Sequence, residues 1–141
     1  MRQSPLYIVT LVLVCLTAVS DLWWITIDLG SRFGLIQGGV GDFDAESFTA
    51  SLTIWNDLAF YTHTLTAIIA VWMLLARHPW LLPVYAVSIL ASVIDLIMLS
   101  QNPLFEAGTT AMITLGAHIT ALVGIAWLTR SGALQQPQQS E

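Results

Sequence analysis

Leu115-Gly116-Ala117-His118-Ile119-Thr120-Ala121 lies in the middle of the last apolar run of the chain. If that run crosses a membrane, it carries a histidine into the lipid. Three other apolar runs each hold one ionisable residue at a comparable place: Asp21, His63 and Asp95. Such groups are costly in a bilayer and mark functional positions by default.

The composition requires the membrane reading. Of 141 residues, 56% are hydrophobic and only 9% are charged, against roughly 25% charged in a soluble domain. Four apolar runs of about 20 residues each have the length of spanning helices. They predict an all-α, polytopic membrane protein: a bundle of four transmembrane helices at about 6–29, 53–76, 80–99 and 107–128. Residues 1–130 make one domain. The tail 131–141, with its Gln135-Gln136-Pro137-Gln138-Gln139 run, is expected to be a disordered cytoplasmic segment.

Charge sets the expected orientation. Arg2, Arg77 and Arg130 flank one side, and Arg32 alone sits on the other, among acidic residues. The positive-inside rule then places both termini in the cytoplasm. Tryptophans mark both interfaces, with Trp72, Trp80 and Trp127 at the cytoplasmic ends and Trp23, Trp24 and Trp55 at the outer ends. The expected location is a cell membrane, the cytoplasmic membrane if the source is bacterial. Ala18-Val19-Ser20 resembles a signal-peptide cleavage site. The apolar character continues through Leu22-Trp23-Trp24-Ile25, however, which favours an uncleaved span.

Several classes are disfavoured. Four Lys and Arg residues make no basic patch for nucleic acid. The single Cys15 precludes an internal disulfide, and it reads as a small apolar filler. Asp42, Asp44 and Glu46 lack the glycine and distal glutamate of a calcium loop and read as a solvated acidic stretch. No serine or cysteine nucleophile sits beside a base at recognisable spacing, so a non-enzymatic protein is expected. Asn56 is an expected N-cap for the second span.

Depth brings the ionisable residues together. Counted from the cytoplasmic ends at about 1.5 Å per residue, Asp21, His63 and Asp95 lie roughly 20–22 Å deep, and His118 roughly 15 Å, one turn off. Thr10, Val14, Thr17, Asp21, Trp24 and Asp28 form one stripe; Ser88, Ala91 and Asp95 a second; His63, Thr66, Ala67 and Ala70 a third. Gly116, Thr120 and Gly124 make a small-residue ridge suited to close helix approach. Leu16–Leu22 also aligns with Leu90–Leu96, and the His63/Trp72 spacing repeats at His118/Trp127, as an internal duplication would produce.

The expected pocket is therefore Asp21, His63, Asp95 and His118, lined by Thr17, Thr66 and Thr120. It would bind or pass a small ligand, ion or proton. The protein would act alone in the bilayer, as a homo-oligomer, or as a subunit of a larger complex. Two alternatives stand beside this. In one, His63 and His118 ligate a b-type haem and the chain carries electrons. In the other, the polar residues are glue in a purely structural assembly subunit. A transition metal held by His63, His118, Asp21 and Asp95 is a further possibility. The sequence displays no second layer of groups around the histidines, and on that ground a colourless, metal-poor protein is expected.

Overall fold

A computed structural model describes residues 4–37, 39–40, 43–105 and 109–134. Its elements in order are α1 (Pro5–Arg32), β1 (Gly39–Val40), β2 (Phe43–Asp44), α2 (Ala45–Ser51), α3 (Ile54–Leu75), α4 (Leu81–Leu99) and α5 (Thr109–Arg130). The strands are a two-residue antiparallel pairing, so the fold is all-α. The four long helices α1, α3, α4 and α5 are apolar and long enough to cross a membrane.

The helix ends follow local chemistry. Ser4 caps α1 by accepting from the Tyr7 N–H at 3.2 Å, and Pro5 opens the helix where its missing N–H costs nothing. At the other end α1 runs three residues past the expected Leu29, because Asp28 and Arg32 pair one turn apart. Thr53, not Asn56, is the N-cap of α3: Asn56 is the third residue of the helix and returns its side chain to the Thr53 N–H, completing a capping box. The stretch between the first two spans contains the short helix α2. Its N-cap Asp44 accepts from Ser47 N–H at 3.0 Å, which holds the Asp44 carboxyl below the usual carboxylate range. Asp42 and the segment 106–108 lie outside the described residues.

Helix α5 stops in a Schellman turn. Ala133 N–H donates to Leu128 O at 3.1 Å, and Gly132 occupies the left-handed position at φ 71°. A side chain at that dihedral is strained. Gly132→Ala is expected to cost about 1–2 kcal/mol, read as a lower unfolding midpoint in mixed micelles; an unchanged midpoint would contradict the turn. Helix α3 ends in the same motif with Arg77 in the left-handed position at φ 53°. There the guanidinium lies 5.6 Å from the Tyr7 ring centroid, a cation–π contact that offsets part of the strain. The turn after α5 buries Leu134 against the core. The rest of the expected tail, 135–141, lies outside the described residues.

The spans pack in a four-sided ring in the order α1, α3, α4, α5, with α1 facing α4 and α3 facing α5 across the centre. The inward stripes carry small and polar residues, and the opposite faces expose Val9, Val12, Leu16, Leu65, Leu90 and Val123. This arrangement suits helices surrounded by lipid, where leucine gains little from burial and small residues permit close packing. All six tryptophans are exposed, three towards each end.

Three layers stack along the bundle. The end carrying both termini is an apolar core of Tyr7, Val14, Leu74, Leu81, Ile125 and Leu128. The end carrying the α1–α3 connection is held by ions: Arg32 donates to Asp28 at 3.0 Å and to Asp57 at 2.5 Å, and Tyr61 donates to Asp28. Between them lies the polar centre.

Candidate functional site

Each helix brings a side chain to that centre from its inward stripe. Asp21 comes from α1, His63 from α3, Tyr85 and Ser88 from α4, and His118 from α5. Asp21 and His63 are each 5% exposed, and Tyr85, Ser88 and His118 are 0% exposed. His63 Nε2 lies 3.2 Å from Asp21 Oδ2, and His118 Nε2 lies 3.9 Å from Asp21 Oδ1. The imidazoles meet edge to face, with centroids 4.8 Å apart. Potential ligand atoms of Asp21, His63 and His118 all lie within 4.8 Å of one another.

The far nitrogens of both rings are anchored. His63 Nδ1 lies 2.9 Å from the Ser88 carbonyl oxygen and 3.0 Å from Ser88 Oγ. The Ser88 hydroxyl donates to the His63 carbonyl at 3.0 Å, which locks α3 to α4 on both sides of the ring. A carbonyl oxygen only accepts, so His63 Nδ1 carries a hydrogen. In a neutral ring Nε2 is then a bare lone pair, and it faces a carboxylate. His118 Nδ1 lies 3.2 Å from the Tyr85 hydroxyl. His118 Nε2 is buried without a hydrogen bond, and Asp21 Oδ2 has the His63 Nε2 contact alone.

Other expected pocket residues lie elsewhere. Asp95 is partly buried on α4, two turns from Ser88 towards the ion-paired end, and it interacts electrostatically with both His63 and Asp57. It is not a member of the Asp21–His63–His118 cluster. The depth count misplaced it because α4 is displaced along the bundle: Ser88, not Asp95, meets His63. His118 instead sits level with His63 and Asp21, without the expected one-turn offset, since α5 continues to Arg130.

Thr17 is buried one turn from Asp21, donates to Val14 O at 3.0 Å and lies beside the Tyr85 hydroxyl, so it borders the centre as expected. Thr66 serves its own helix, donating to Thr62 O at 2.7 Å. Thr120 is exposed and donates to Gly116 O at 2.8 Å. It lies about 200° around the helix from His118 and outside the centre. Of the expected ridge only Gly124 packs, its Cα hydrogens facing the Thr10 side chain so closely that a Cβ would collide with it.

Axial histidines of a haem stand on opposite faces of the macrocycle with iron between them; here the two rings meet edge to face, with Asp21 at their Nε2 atoms. What sequence reasoning missed was the second layer, Tyr85 and Ser88. Ser88 lay on a stripe with Asp95, and its spacing was the available signal; Tyr85 lies one turn before it. Comparison with family models, curated proteins and solved structures finds no match for this chain.

Proposed function

We propose that this chain is a small integral membrane protein that binds a small cation at the centre of its bundle, to hold it or pass it on. The observation that carries the reading is the direction of His63. Its Nδ1 hydrogen is committed to the Ser88 carbonyl, so in the neutral ring the Nε2 lone pair and the Asp21 carboxylate present like polarity to each other at 3.2 Å. Two acceptors at that distance inside a low-dielectric bundle repel. A positive charge between them turns the repulsion into binding. Polar glue between helices would instead have its buried polar atoms satisfied by neighbours, and His118 Nε2 has no hydrogen bond.

Orientation belongs to the same proposal. Arg32 is neutralised by Asp28 and Asp57, and the other three positive residues of the sequence, Arg2, Arg77 and Arg130, flank the opposite side. Both termini are therefore assigned to the cytoplasmic side. Reporter fusions at residue 40 and at the C-terminus check it, an external C-terminus being the contrary result.

The functional test uses protein reconstituted in vesicles. Dyes for protons, monovalent cations and divalent cations read binding or passage, in the parent and in Asp21→Asn. The expected result is one cation class retained or moved by the parent and lost in the variant. A parent indifferent to every cation, or an Asp21→Asn variant that behaves as the parent does, would end the reading.

A further inference from the structure

The cation can be assigned a chemical class, an assignment that rests on the reading above and deepens it. We propose that Asp21, His63 and His118 form a three-ligand site for a divalent transition metal ion of the zinc class, with one coordination position open.

The donor set argues for this first. Calcium takes 6–8 oxygen ligands and magnesium demands an octahedron of oxygens and waters. Two imidazole nitrogens and one carboxylate oxygen suit Zn, Mn or Fe instead. Among the described residues no further carboxylate joins the cluster.

The spacing fits. Ligands about 2.0–2.2 Å from zinc at tetrahedral angles stand roughly 3.3 Å from each other. His63 Nε2 and Asp21 Oδ2 are already 3.2 Å apart. His118 Nε2 lies 3.9 Å from Asp21 Oδ1, and one ligand atom from each of the three residues lies within 4.8 Å of the others, so the set would contract around the ion.

A lone proton does not complete the site. Shared between Asp21 and His63, it would relieve that pair and leave His118 Nε2 buried with nothing to bind. A metal ion uses all three converging atoms at once, including the His118 Nε2 that lacks a hydrogen bond.

Finally, the groups behind the ligands have the arrangement that metal-binding histidines require. Such a histidine donates its other ring N–H to a carbonyl, carboxylate or water, which fixes its tautomer and orientation. Ser88 O does this for His63 at 2.9 Å, and the Tyr85 hydroxyl holds His118 Nδ1 at 3.2 Å. Ser88 and Tyr85 are positioning residues on α4, the one long helix among the described residues that supplies no ligand. A three-ligand site with a free fourth position is the form in which zinc keeps a water or exchanges its ligand. It suits an ion that is to be handed on or used rather than one locked in place.

The test is a titration of the full chain in detergent or nanodiscs, stripped with chelator, with Co²⁺ as the coloured stand-in for Zn²⁺. One equivalent should bind, with the visible d–d bands of low-coordinate Co²⁺, and Zn²⁺ should bleach them. Asp21→Asn and His118→Gln should each lose the bands. Tyr85→Phe should keep them with affinity lowered by about 10- to 100-fold. His78→Ala, which removes the histidine of the α3–α4 turn, should change nothing. Circular dichroism checks that each variant retains its helices, and the parent titration decides the matter even where a variant does not fold. A parent that binds no Co²⁺, or bands that survive Asp21→Asn, would overturn the metal assignment. If proton or alkali-cation passage in vesicles still depends on Asp21 in that case, the cation-binding reading stands and only its chemical class is wrong.

Discussion

Replacing Asp21, His63 and His118 together by leucine, methionine and methionine is expected to make the bundle more stable, by about 1–4 kcal/mol, while abolishing cation binding. All three side chains are almost wholly buried, and taking them out of a polar environment is costly in either protonation state. Their mutual contacts offset that cost only in part, because His118 Nε2 makes no hydrogen bond and Asp21 Oδ2 meets only His63. Apolar residues of similar volume would fill the same space without desolvation. In a membrane the unfolded helices also find partners for their polar groups, which places the gain towards the lower end of the range. Unfolding in mixed micelles or by steric trapping measures it. A triple variant that loses 2 kcal/mol or more would mean that the centre is a structural network, and the functional reading would lose its physical basis.

Leu74→Ala should do the reverse: weaken the fold and leave the site intact. Leu74 is 0% exposed in the apolar layer at the terminal end, packed with Tyr7, Leu81 and Ile125. Truncation leaves a cavity that rigid neighbouring helices close only in part. The loss expected is about 2–3 kcal/mol, in the lower half of the range for buried leucines, because lipid solvates the exposed alkyl surface of the unfolded state. The Tyr7 hydroxyl, which donates to the Leu74 carbonyl at 3.2 Å, keeps its partner because the backbone is unchanged. Leu74 is three turns from His63, so cation stoichiometry should stay as in the parent. Lost binding in a folded variant would show that the core and the polar centre form one cooperative unit rather than separable layers.

The spans were legible because they rest on local physics. A run of about 20 apolar residues has few alternatives to a spanning helix, and the 3.6-residue period places Thr10, Val14, Thr17 and Asp21 on one face whatever the neighbours are. Each of these is buried. The same period fails where a residue sits at the edge of its stripe. Trp24 follows the spacing of the first stripe, yet it is 42% exposed, near the end where tryptophan favours the interface. Gly116 and Thr120 were read with Gly124 as a contact ridge from their four-residue spacing, and periodicity does not say which side of a helix with small residues all round will meet a partner.

What the amino-acid sequence by itself determined was the class of molecule, the four spans, and three ionisable residues that the fold then brought together. Tertiary structure decided which groups touch. The displacement of α4 along the bundle sets Ser88 and Tyr85, rather than Asp95, beside the histidines. That displacement comes from how a whole helix packs, through the Arg77 turn and the core beneath it, and no count along one run contains it. The histidine tautomer was equally out of reach. It depends on a backbone carbonyl of another helix, and a carbonyl is present at every residue in the chain, so only the packing of α3 against α4 could single out the one that His63 meets.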